Sequence, residues 1–135
     1  MEKILDFFNE KDQFAKHCGI KVTEAAAGYA KGEMEIKPHH LNGAGTVHGG
    51  ALFTLADFIF AVASNSHGQL SLAINANISF FKGQSEGVLT ATAKELSINP
   101  KLGTYNIEIV NEAGSRIADF TGTVYRKSQA VLCSL

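Results

Sequence analysis

The chain has 135 residues, 45% of them apolar, with 12 basic and 13 acidic side chains and a formal net charge of −1. That balance leaves no electrostatic footprint for nucleic acid or an anionic membrane surface, and no apolar run is long enough to span a bilayer. One domain over 1–135 is expected, large enough to bury roughly 65–70% of its unfolded surface. Cys18 and Cys133 are too few and too scattered for a disulfide framework or a zinc site. The opening MEKILDFFNEKD lacks the basic start, unbroken apolar core and cleavage site of a signal peptide, so a cytoplasmic location is expected.

From Lys3 to Lys16, Ile4, Leu5, Phe7, Phe8 and Phe14 recur among charges at near-helical spacing, and Gly19 is a natural stop. This predicts a short amphipathic lid or edge helix over about 3–16, with the core at about 19–126. Ile20 to Thr23 and Gly28 to Lys37 read as strands joined at Ala-Ala-Ala-Gly. In the second, Ala30, Gly32, Met34 and Ile36 alternate with Tyr29, Lys31, Glu33, Glu35 and Lys37. Pro38 ends it, and His39 to Val47 form a loop containing Asn42-Gly43-Ala44-Gly45.

His48 to Gly68 reads HGGALFTLADFIFAVASNSHG. Between Gly49 and Ala63 its one charge is Asp57, set among Leu52, Phe53, Leu55, Phe58, Ile59, Phe60 and Val62. A helix apolar on nearly every side must be wrapped by other structure, and Gly68 suits the left-handed stop after it. Beyond it the period drops to two. Leu72, Ile74, Ala76, Ile78 and Phe80 alternate with Ala73, Asn75, Asn77 and Ser79. Val88 to Leu96, Thr104 to Val110 and Ser115 to Arg126 are three further strands, the last two joined at Asn111-Glu112-Ala113-Gly114. Ser128 to Leu135 is expected to fray. The simplest packing is an α+β domain, a curved antiparallel sheet wrapped around the helix. One sheet covers only part of such a helix, so a second subunit is expected over the rest.

Gly49 and Gly50 open the helix, where amide groups lack intrahelical partners and the dipole is positive. Without side chains they let a ligand oxygen approach, as stabilising an oxyanion in acyl transfer requires. His48 adjoins them and can donate to the same carbonyl; alone, His-Gly-Gly also reads as a tight helix start. A buried Asp57 is costly unless partners or ligand compensate. It is either a catalytic carboxylate or a structural one bonded to Thr54 or a neighbouring strand. It lies about 12 Å along the axis from Gly49 at ~1.5 Å per residue, too far for both to act on one carbonyl within one chain. A site joining them is easier to build if a neighbouring subunit supplies Asp57, twice per dimer. Asn42 can donate to a carbonyl or hold water, or serve as a turn residue; Asn75 can face the carboxylate or water, or solvent. Phe53, Phe58 and Phe60 could line an acyl pocket or belong to the core. His39, His40, His48 and His67 show no ligand spacing, so no metal is expected.

Asn42, His48-Gly49-Gly50 and Asp57 together, within LNGAGTVHGGALFTLADFIFAVASNSHG, resemble the signature of the hotdog-fold acyl-CoA thioesterases, phenylacetic-acid-degradation (PaaI-like) branch. The resemblance runs from about Gly19 to Arg126 and includes ISFFKG and TATAKEL. It implies a long helix wrapped by an antiparallel sheet, and dimers pairing into homotetramers. By the same resemblance Asp57 is the general base or nucleophile, and Gly49 N–H polarises the thioester carbonyl from across the dimer interface. His48 positions that carbonyl, and Asn42 orients water or the carbonyl. Gly50 and Asn75 are substrate contacts, with Asn75 standing where relatives carry Ser or Thr. Lys82-Gly83 replaces a frequent Arg-Pro and is a candidate contact for CoA phosphate. The implied reaction is hydrolysis of an acyl-CoA ester, aryl or medium-length, to free acid and CoA without metal or redox cofactor. A non-catalytic acyl-CoA binding module and a hotdog hydratase or dehydratase are the alternatives.

Overall fold

In a computed structural model, which describes residues 1–132, helix α3 (Gly49–Asn65) lies across one face of a six-stranded sheet. The strands are β1 (Ile20–Ala26), β2 (Tyr29–Glu35), β3 (Gln69–Phe80), β4 (Val88–Ile98), β5 (Leu102–Val110) and β6 (Arg116–Ala130). They are ordered β1-β2-β4-β5-β6-β3 with every pair antiparallel. The period-two reading of β2 holds residue by residue, since Ala30, Gly32, Met34 and Ile36 are buried. Leu55, Ile59 and Phe60 from α3 meet Tyr105, Ile107, Ile109 and Phe120 in one core. Two glycines allow so close an approach. A Cβ on Gly32 would stand 2.3 Å from Ile59 Cδ1, and one on Gly122 would stand 2.7 Å from the Phe60 ring. No helix among the described residues is long and apolar enough to cross a membrane.

Two expectations are corrected. The single helix over 3–16 is two, α1 (Glu2–Lys11) and α2 (Gln13–His17), because Asp12 leaves helical geometry and caps α2 by accepting from Ala15 N–H at 3.0 Å. The chain does not fray at Ser128: β6 continues to Ala130, and buried Val131 donates its N–H to Gly68 C=O at 2.8 Å. The rest of that segment, Cys133 to Leu135, lies outside the described residues. Of the aromatic residues read as acyl-pocket lining or core, Phe58 and Phe60 fall in the core, 3% and 1% exposed, with Phe58 edge-on to Phe8 and Phe60 tilted against Phe120 and Tyr105. A bulge between Ala73 and Asn75 shifts the phase of β3, so that Leu72 pairs with exposed Tyr125 whereas Ile78 pairs with buried Phe120 and packs against the core. Leu72, Ile74 and Phe80 are 48%, 60% and 53% exposed, because β3 is the outer strand beyond β6.

α3 is not sealed on every side. Gly50 and Phe53 are exposed, and Ala51, Thr54, Asp57 and Ala61 are half-buried, forming an open stripe at helical spacing. His48 caps the helix start, and Gly68 takes φ +93° just past its end.

Candidate active site

The loop before α3 is pinned by its own side chains. Asn42 accepts from Ala44 N–H (2.9 Å) and Thr46 N–H (3.2 Å) and donates to Thr46 Oγ1 (3.1 Å). An isolated bridge between Leu41 and Val47 closes the same loop. Asn42 therefore shapes the helix approach, with one amide hydrogen left for a ligand. The segment after β3 packs alongside. Val47 N–H donates to Gln84 C=O at 2.8 Å, a Cβ on Gly83 would meet Thr46 at 3.2 Å, and Phe80 lies 3.1 Å from where a Cβ on Gly49 would stand. Exposed Lys82 sits between these contacts.

At the helix start the three motif residues divide their work. His48 Nδ1 accepts from Gly50 N–H at 2.8 Å. An accepting Nδ1 carries no proton, so the ring is neutral and Nε2 bears the hydrogen. Gly50 N–H is thereby committed, which corrects the expectation that both glycine amides face a ligand. Ala51 and Leu52 N–H both donate to His48 C=O, at 2.9 and 3.1 Å. Among the described residues Gly49 N–H has no acceptor, which leaves it beside His48 Nε2–H as a pair of uncommitted donors.

Asp57 sits two turns further along the open stripe. Burial, reinforced by the carboxylate of Asp12, pushes its carboxyl above the ordinary value. Neither Thr54 nor a strand residue satisfies it: Thr54 Oγ1 donates instead to Gly50 C=O at 2.8 Å. The structural-carboxylate alternative thus lacks its partners. Asn75 lies on outer strand β3 with an exposed side chain and no hydrogen bond to Asp57.

Two clefts flank this stripe. One of about 300 Å³ borders the donors and is lined by Phe14, Cys18, Leu41, His48 and Thr54. The other, about 310 Å³, lies past Asp57 and is lined by Phe7, Phe8, Ala61, Leu70 and Leu72. Among the described residues no three His, Cys, Asp or Glu side chains are grouped to hold a metal ion. Sequence reasoning weighed His40 only as a metal ligand; the structure buries it behind the first cleft. Its position eight residues before His48 was visible, but its partners were not.

Residues 44–118, spanning the helix, its donors and its carboxylate, match the family model of the thioesterase superfamily. The chain belongs to that superfamily. It is 43% identical to a putative esterase of Archaeoglobus fulgidus, over 96% of this chain and 84% of that protein. It is 39% identical to the acyl-coenzyme A thioesterase PaaI of Escherichia coli, over 87% of this chain and 84% of that one. The structure of the E. coli PaaI protein, from the phenylacetic acid degradation operon, superposes with a TM-score of 0.92, covering 96% of this chain and 94% of that one. Sequence and fold together place this thioesterase-superfamily member in the hotdog fold, PaaI-like branch.

Proposed function

We propose that this protein hydrolyses acyl-CoA thioesters to a free acid and CoA, in an active site shared between two copies of the chain. The observation that carries the reading is the uncommitted Gly49 N–H beside a His48 ring whose bond to Gly50 leaves Nε2–H free to donate. Two donors at a helix start suit the oxyanion that forms when a thioester carbonyl is attacked. The acid is Asp57 of the partner copy, because Asp57 of the same chain lies about 12 Å along the helix. Desolvation makes that carboxylate a stronger base, suited to taking a proton from water as the water attacks. Collapse of the tetrahedral intermediate releases CoA thiolate, with no metal or redox cofactor required. Asn42 holds the approach loop, and Gly50 fixes the imidazole. Lys82 and Gly83 border the donors where the CoA moiety would leave the cleft, with Lys82 facing its phosphates. Asn75 would face its counterpart across the dimer contact.

The dimer is supported by outer strand β3, whose far edge has no neighbour in the sheet among the described residues and whose Leu72, Ile74 and Phe80 are exposed. A twelve-residue edge strand carrying exposed apolar side chains is a template for pairing with a second copy. We extend this to a dimer of dimers, in the cytoplasm, where CoA esters are made and consumed. A cleft of about 300 Å³ beside the donors suits an aryl or medium-length acyl group. A hydratase would need His48 as a base, yet its one lone-pair nitrogen is occupied by Gly50 N–H.

The deciding experiment is a panel of acyl-CoA esters with thiol trapping. Release of free CoA from an aryl or medium-length ester is expected. Tight binding without thiol would establish a binding module instead, and loss of enoyl absorbance without thiol would establish a hydratase.

A further inference from the structure

We infer that His40 is a positioning residue for thioester hydrolysis: a buried imidazole that holds the start of α3, and with it the Gly49 and His48 donors, at the site. The inference rests on the function proposed above. His40 is 3% exposed and belongs to the one-turn 3-10 helix Pro38–His40. Both ring nitrogens are engaged. Lys37 N–H donates to Nδ1 at 2.9 Å, so the proton sits on Nε2, which donates to Cys18 C=O at 2.8 Å. Cys18 ends α2 and Lys37 follows β2, so one ring ties together two segments that are distant in sequence. The ring of His39 lies 4.2 Å from that of His40, centroid to centroid.

The link to catalysis is the backbone of the same residue. His48 N–H donates to His40 C=O at 2.7 Å. That bond fixes the residue that caps α3 and whose ring receives Gly50 N–H. A shift of the 38–40 turn is therefore passed through one peptide to His48, and from His48 to the direction of Gly49 N–H. An apolar side chain of similar size could fill the space behind the cleft but would anchor neither Lys37 nor Cys18. Oxyanion donors act only when aimed at the developing charge, and a displacement of about 1 Å can cost on the order of a hundredfold in rate.

The test compares His40→Leu, which loses both bonds, with His40→Gln, whose amide can offer one acceptor and one donor. The control is Asn9→Ala. Asn9 exchanges hydrogen bonds with Val22 N–H and C=O, both 3.0 Å, tying α1 to β1 away from the helix start. His40→Leu is expected to lower kcat by about tenfold or more with KM changed less than about threefold, and to move the Gly49 and Gly50 amide NMR resonances. His40→Gln should recover most of kcat. Asn9→Ala should lower the melting temperature while leaving kcat and those resonances in place. Should His40→Leu fail to fold, His40→Asn, too short to reach both partners, replaces it with the same expected kcat loss. Wild-type kcat in His40→Leu or His40→Asn, or a kcat loss matched by Asn9→Ala, would overturn the inference. If wild-type protein releases no thiol from any ester, the proposed function fails. The Gly49 and Gly50 resonances then still decide whether His40 holds the helix start.

Discussion

Gly50→Ala is expected to leave the protein folded and to lower its thioester turnover by about tenfold to a hundredfold. A Cβ at Gly50 would stand 3.0 Å from His48 Nδ1 and 3.3 Å from Cε1, so the imidazole must give by a few tenths of an ångström. His48 is exposed and able to swing outward, which breaks the 2.8 Å bond from Gly50 N–H and re-aims Nε2–H. Deleting one oxyanion donor costs about 100- to 1,000-fold in kcat, and a donor displaced rather than deleted costs no more than the lower end of that range. Stability should hardly change. Alanine is favoured over glycine in a helix by up to about 1 kcal/mol, and loss of the cap bond costs about 0.5–2 kcal/mol. Steady-state thiol release and thermal melting read the two effects separately. In a His48→Ala background the Gly50→Ala change should add nothing further, as expected of two changes acting through one ring. Full turnover in Gly50→Ala, or additivity with His48→Ala, would refute the assigned role of the imidazole.

Asp57→Asn should cut turnover by about 100- to 10,000-fold yet be more stable than wild type at neutral pH. The raised carboxyl means that the folded chain binds its proton more tightly than the unfolded chain, so wild-type stability falls as pH climbs from the ordinary carboxylate range through the raised value. Melts across pH should therefore show the variant's advantage vanishing in acid; an advantage that persists there would exclude the desolvation account. Ile74→Glu, on the exposed face of β3, should halve the sedimenting mass of the proposed dimer and abolish turnover with it, and an active monomer would contradict the shared site. Tyr105→Phe removes a buried hydroxyl that donates to Glu95 at 2.8 Å and should cost about 1–2 kcal/mol in denaturant unfolding with kcat unchanged. Burial alone would raise the Glu95 carboxyl. Hydrogen bonds from His67 and Tyr105, with the charges of His67 and Arg126, hold it below its ordinary value instead. Its stabilisation is present above the ordinary carboxylate range and lost as pH falls through the lowered value, a loss that Tyr105→Phe should shrink.

Local periodicity carried much of the fold. The alternation of Ala30, Gly32, Met34 and Ile36 marks a strand buried on one face, and His48-Gly49-Gly50 marks a helix start, because these patterns follow from backbone geometry alone. Strand register is not local. Leu72, Ile74, Ala76, Ile78 and Phe80 alternate as one strand face does, but a bulge between Ala73 and Asn75 shifts the phase, so Leu72 pairs with exposed Tyr125 while Ile78 and Phe80 pair with buried Phe120 and Ala118. Spacing marks these residues as apolar but does not locate the bulge that divides them between two faces. The break at Asp12 turns on a competition between capping and continuing the helix, which spacing does not settle. At the site, the motif residues were visible by type, while the commitment of Gly50 N–H to His48 depends on a rotamer. His40 was weighed only as a metal ligand, because its ring's partner Cys18 lies 22 positions away.

In the proposed function α3 serves as core and as catalytic surface at once, and its helical period keeps the two apart. Leu52, Leu55, Ala56, Phe58, Ile59, Phe60, Val62 and Ala63 are buried, whereas Gly50, Thr54, Asp57 and Ala61 follow one another at steps of three or four along the open side, with Phe53 beside Thr54. The donors at Gly49 and the acid at Asp57 stand at opposite ends of the first half of that stripe, with exposed Phe53 midway between them. If two such helices cross antiparallel about a two-fold axis near Phe53, each acid falls opposite the other chain's donors, and both sites are completed by one operation. The same arrangement covers the apolar ring of Phe53 and removes water from Asp57. In the proposed dimer, then, the contact that buries the remaining face of the helix also creates the desolvated environment in which carboxylate and donors work on the thioester.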